Sequence, residues 1–142
     1  MTSLHSKFET YLVDQGLRYT GQKKDIIDAI LTKTDHFEID EFISEMHVKG
    51  CRVARATVYR TVKQLLDAKL IQKISGSNGR IYYEYNDGLE HHDHVICNQC
   101  GKILAIKNKT IERAIQNECK ALQFKQEYRS LHIYGTCHTC AN

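Results

Sequence analysis

Apolar residues recur at helical spacing four times in the first 70 positions. Phe8, Tyr11 and Leu12 share one face, and Gly16 marks the end of that helix. Thr20 then stands as an N-cap ahead of Ile26, Ile27, Ile30 and Leu31. Phe42, Ile43 and Met46 predict a third helix stopped by Gly50. Val58, Val62, Leu65 and Leu66 predict a fourth, with Arg55, Arg60, Lys63 and Gln64 elsewhere on its surface. Ile71 to Ile74 and Arg80 to Tyr85 then flank Ser75-Gly76-Ser77-Asn78-Gly79, a pattern that predicts a β-hairpin. Helices followed by a hairpin describe a winged helix. In that fold the helix before the hairpin enters the DNA major groove and the hairpin is the wing.

Asn86-Asp87-Gly88 predicts a hinge. Beyond it, His94 to Cys97 and Ile103 to Ile106 read as strands on either side of a turn. Thr110 to Ala121 reads as a helix, with Ile111, Ala114, Ile115 and Leu122 spaced to bury one face. Leu131 to Tyr134 reads as a last strand.

Length fits this division, since 142 residues make one domain or two small ones. Small domains often need a staple. Charges run through the first 30 residues and no apolar run approaches the roughly 20 residues of a membrane span, which predicts neither signal peptide nor anchor. Six cysteines without an export signal then point to the cytoplasm and to metal rather than disulfides. The net charge is +3, with 13 Lys/Arg against 11 Asp/Glu up to Asn86 and 7 against 6 after it. Neither half is strongly basic, so a DNA-binding face must come from local placement.

The cysteines carry the clearest chemistry. Cys97-x-x-Cys100 and Cys137-x-x-Cys140 form two tight pairs, and four thiolates close a tetrahedral zinc site that contributes folding energy directly. Gly101 supplies the positive φ that such turns need. Four ordinary reduced cysteines, or a redox dithiol, are the other readings. Cys51 and Cys119 stand alone and read as small buried residues.

His91-His92-Asp93-His94 directly precedes the first pair. In a strand, His92 and His94 point one way and His91 and Asp93 the other, so one tetrapeptide can serve two sites. Imidazole with carboxylate suits Fe(II), Mn(II), Zn(II) or Co(II). His36 and Glu84 are candidate partners from the first half. A metal joining them to His92 and His94 would turn binding energy into a conformational bias. A solvated His-rich loop is the bland alternative. His5, His47 and His138 read as surface residues.

Together these residues resemble the ferric uptake regulator (Fur) family of metal-dependent transcription regulators, over nearly the whole chain. The resemblance rests on Arg18-Tyr19-Thr20-Gly21-Gln22-Lys23, His36, Ala56-Thr57-Val58-Tyr59-Arg60, Tyr83-Glu84, the run from His91 to Ile103, and Ile133 to Cys140. It implies an α+β chain with a winged-helix DNA-binding domain over 1–86 and a small α/β dimerisation domain with a four-cysteine zinc site over 87–142. It implies a cytoplasmic homodimer, sometimes a tetramer, that binds AT-rich inverted repeats when loaded with metal. Cys97, Cys100, Cys137 and Cys140 match the structural zinc site, and His36, Glu84, His92 and His94 the regulatory site. His91, Asp93 and Glu112 match three positions of an additional site. Thr57, Tyr59 and Arg60 fall on the recognition helix, and Arg18 matches a basic position that reaches an AT-rich minor groove.

Two departures stand out. Ala105 replaces a carboxylate that many members have in the regulatory site, which leaves four-coordination or completion by water or another side chain. Arg129 replaces the histidine of the additional site, and a guanidinium cannot ligate a cation. A salt bridge from Arg129 to Asp93 or Glu112, with the additional site lost or weak, is the expectation. The His/carboxylate set favours Fe2+ as the regulatory ion, with zinc, manganese or peroxide sensing as alternatives. No enzymatic activity is expected. A metal-dependent hydrolase, or a zinc-stapled DNA-binding module indifferent to regulatory metal, are the competing classes.

Overall fold

The structure, a computed structural model, describes residues 3–33, 36–85, 93–127 and 129–142. The expected hinge, His91 and His92 lie outside the described residues. The chain divides into two compact units, one of Met1–Ser75 and Arg80–Tyr85, the other of Gly76–Gly79 and Asn86–Asn142.

The first unit begins with helices α1 (Leu4–Asp14) and α2 (Gly21–Leu31). Ser3 and Thr20 cap them by accepting from the N–H groups of Ser6 and Lys23. At the end of α1, Gly16 takes φ +70° while Leu17 N–H donates to Leu12 C=O at 2.8 Å. This left-handed closure favours glycine and satisfies a terminal carbonyl. Strand β1 (Phe37–Glu38), α3 (Ile39–Val48), α4 (Arg55–Asp67), β2 (Gln72–Ser75) and β3 (Ile81–Glu84) complete the unit. The apolar stripes of the four helices meet in a core that includes Phe8, Leu12, Ile26, Ile27, Ile30, Phe42, Val58 and Leu65. Strands β2 and β3 form the hairpin, and β1 adds to its other side, giving the order β1-β3-β2. This is a winged helix with α4 in the recognition position.

The second unit holds β4 (Asp93–Cys97), β5 (Ile103–Ile106), α5 (Lys109–Ala121), β6 (His132–Gly135) and α6 (His138–Ala141). Strand β4 is central, antiparallel to β5 and parallel to β6. One expectation fails here: none of the residues of α5 is buried, and Leu122 after it is 75% exposed. The apolar stripe is present, but the described residues do not bury it.

Candidate metal centres and nucleic-acid face

The four motif cysteines come from both ends of the second unit. Cys97 closes β4, and Cys100 lies in the following turn, where Gly101 takes φ +78°. Cys137 caps α6, and Cys140 lies within it. The short helix α6 places His138 on its exposed first turn. One ligand atom from each cysteine lies within 4.8 Å of all the others. Cys100 Sγ and Cys137 Sγ are 3.7 Å apart, close to the edge of about 3.8 Å that a tetrahedron with zinc–sulfur bonds of about 2.3 Å requires.

Backbone N–H groups of Cys100 and Cys137 point at Cys97 Sγ, at 3.5 and 3.4 Å. Those two donors bring the Cys97 thiol down to about 6. The Cys140 thiol is pushed up to about 12, chiefly by its neighbour Cys137. The Cys97 sulfur is thus readily a thiolate, and the Cys140 proton is one that a bound cation displaces. Four soft donors in closed tetrahedral array fit zinc. Cys51 and Cys119, both half-buried, stand outside the cluster.

Strand β4 separates its two polar residues as alternation requires. Asp93 and His94 are 2% and 1% exposed. Asp93 accepts from Arg129 Nη2 at 2.9 Å and Nε at 3.1 Å. The same guanidinium donates to Glu112 on α5. Arg129 is itself raised further above its ordinary value by Glu112 first and Asp93 second. Two of the three residues matched to the additional site, Asp93 and Glu112, are therefore brought together around a fixed cation.

His94 has different company. Its registered neighbours are Ala105 on β5 and His132 on β6. The His94 and His132 rings are 5.8 Å apart between centroids. Burial lowers the His132 pKa, and the neighbouring His94 adds to the effect, which favours the neutral ring.

In the first unit, β1 pairs with β3 through Phe37↔Tyr83 and Glu38↔Tyr82. Continuing that antiparallel register by one residue sets His36 across from Glu84. The His36 ring meets Tyr82 edge-on at 5.2 Å, and Glu84 is buried at the end of β3. The structure thus brings these two sequence-predicted donors to one end of the sheet.

On α4, Thr57 is half-buried, and Tyr59 and Arg60 are exposed. The Tyr59 hydroxyl donates to Asp40 at 3.0 Å, and Arg55 pairs with the same carboxylate. Arg18 is exposed ahead of α2, and its carbonyl accepts from Lys23 Nζ at 3.2 Å. Burial lowers the pKa of Lys23, and the charge of Arg60 adds to it. Lys23 at the start of α2 thus lies within electrostatic reach of Arg60 on α4.

Sequence reasoning did not foresee that Lys23 would stand beside Arg18 and Arg60, Asp40 beside Tyr59, or His132 beside His94. Only the strand register could have flagged His132, which falls in a predicted strand and belongs to no motif. His5, expected as a plain surface residue, instead joins α1 to α2, with ring nitrogens 2.5 Å from Tyr19 Oη and 2.8 Å from Asp28 Oδ1. His47, though exposed, has Nε2 3.2 Å from the Val53 carbonyl.

A winged helix joined to a unit with a four-cysteine cluster and further His/carboxylate donors defines a metal-responsive transcription regulator. The profile of the Ferric uptake regulator family matches residues 14–134, and the chain belongs to that family. The ferric uptake regulation protein of Campylobacter jejuni is 34% identical over 142 residues, covering 98% of this chain and 89% of the relative. The ferric uptake regulator from Francisella tularensis, whose structure was solved with iron, superimposes with a TM-score of 0.71 at 30% identity, over 89% of this chain and 96% of that one. A zinc-bound manganese uptake regulator superimposes with a TM-score of 0.61 at 27% identity, over 92% and 98%.

Proposed function

We propose that this regulator is an iron-dependent repressor of metal-uptake genes, acting in the cytoplasm as a homodimer on AT-rich inverted repeats. Zinc in the Cys97, Cys100, Cys137 and Cys140 cluster holds the dimerisation domain over 87–142. The regulatory ion takes His36 and Glu84 from the winged-helix domain over 1–86, and His92 and His94 from the second. Loading then biases the pair of winged helices toward the arrangement that fits DNA. Arg18, Thr57, Tyr59 and Arg60 make the contacts, with phosphates fixing position and base edges giving sequence. Arg129 replaces the additional site around Asp93, Glu112 and His91.

The carrying observation is the division of labour on β4, where Cys97 joins an all-sulfur cluster while His94 lies apart from it. A soft closed site and a separate nitrogen/oxygen donor set suit one permanent and one exchangeable metal. The exchangeable set has no thiolate, which favours Fe(II) over Zn(II). Homodimerisation is supported by the apolar surface of the second unit, where Leu104, Leu122, Phe124, Ile133 and Tyr134 are all exposed. No helix among the described residues is long and apolar enough to cross a membrane.

The test is anaerobic binding to an AT-rich inverted-repeat duplex at fixed salt, with zinc-stapled protein titrated with Fe(II), Mn(II) and Zn(II). Tight binding with Fe(II), reversed by chelator, is expected. Equal binding with and without metal would leave a constitutive DNA-binding module. Metal loading without any DNA binding would reopen the hydrolase reading.

A further inference from the structure

We propose that His132 is a protein ligand of the regulatory metal, standing beside His94 on the flank opposite Ala105. The inference rests on the regulatory-site reading above and adds to it a residue that belongs to no recognised motif. Strand β4 is flanked by β5 and β6, and His94 is in register with Ala105 on one side and His132 on the other. Registered side chains on adjacent strands, about 4.8 Å apart, project from the same face of the sheet. An ion bound by His94 can therefore draw a further ligand from position 105 or from position 132. Alanine offers no donor atom. Histidine at 132 does.

The geometry is already close to what one ion needs. Two imidazoles on a common first-row cation, with metal–nitrogen bonds of about 2.1 Å, hold their ring centres roughly 4.5 to 6 Å apart. His94 and His132 are 5.8 Å apart. Asp93, one residue away, is excluded from this site because its carboxylate is bound to Arg129. The competing assignment is structural: His132 lies 3.4 Å from Ser130 Oγ and edge-on to Tyr134 at 6.4 Å. That role would be indifferent to metal.

The two roles separate in a competition titration of the zinc-loaded full chain, with Co(II) as the probe and a chelator of known affinity as the competitor. His132→Gln keeps most of the side-chain bulk and removes the imidazole. It should lower Co(II) affinity by about 100-fold or more, since loss even of groups that only support a ligand costs about 10- to 100-fold. Zinc content and thermal unfolding of the zinc-loaded form should stay at the wild-type level. X-ray absorption at the cobalt edge should show one imidazole fewer than in wild type. Adding Ala105→Glu to His132→Gln should restore affinity, because register places that carboxylate against the opposite flank of His94. Lost packing would not be rescued in this way. His94→Ala is the control. If it weakens Co(II) binding and His132→Gln does not, His132 is structural and the proposal falls alone. If neither change weakens binding, the regulatory site itself has been misplaced.

Discussion

Arg129 binds Asp93 and Glu112 with one guanidinium, holding together two carboxylates that would otherwise face each other across β4 and α5. The substitution of arginine for a ligand was legible through the family resemblance, which marks the position, and no guanidinium coordinates a cation. Its two-sided grip was not legible, since nothing in the sequence says which acid it meets. Arg129→His should reopen the position to metal, and native mass spectrometry should then count three ions per chain where the parent protein binds two. Arg60 was legible as a member of a motif, whereas its partner across the basic face, Lys23, becomes visible only once α2 and α4 are packed. Arg60→Ala should weaken DNA binding across all sequences, leave the metal content unchanged and reduce the salt slope by about one.

At the level of elements, the ends of helices divide into readable and unreadable ones. Gly16 and Gly50 follow α1 and α3 with positive φ, and both stops were evident in the sequence. Helix α4 has no glycine at its end. Lys69 takes φ 60° there, and Gln123 takes φ 54° after α5. A left-handed residue with a Cβ costs roughly 1 kcal/mol, so Lys69→Gly should stabilise the first unit by about that amount, read as a higher midpoint in urea unfolding. Strand β1 escaped prediction because two residues carry no periodicity. It exists because Phe37 enters the core and pairs with Tyr83. The stripe on α5 shows the opposite limit. Ile111 and Ile115 lie at helical spacing as read, yet among the described residues they are only half-buried.

For the whole molecule, the order of helices, hairpin, strands and cysteine pairs was enough to establish the winged helix and the four-cysteine unit. The closure of Cys137 and Cys140 onto Cys97 and Cys100 was also expected from the doubled pair, but its means was not: 36 residues separate Cys100 from Cys137, and parallel pairing of β4 with β6 brings the two ends together. Cys97→Ser should therefore cost the second unit its zinc and its protection from amide exchange, while the core of the first unit keeps its own. Hydrogen exchange read by mass spectrometry, alongside zinc analysis, distinguishes the two. His92→Ala should have the complementary effect: metal-stimulated DNA binding falls by at least about tenfold, while sedimentation shows an unchanged dimer.

The cation carried by Arg129 is made at the ribosome and does not depend on supply. A regulator with two exchangeable ions per chain can respond steeply, because one ion prepares the place of the next. With one of those places occupied from birth, the proposed regulatory site would be the single exchangeable one in each chain. Sharpness in the dose–response curve of the proposed dimer would then come from communication between partner chains. A Hill coefficient near one for metal uptake by isolated subunits, rising only on assembly, would be the physiological trace of that arginine.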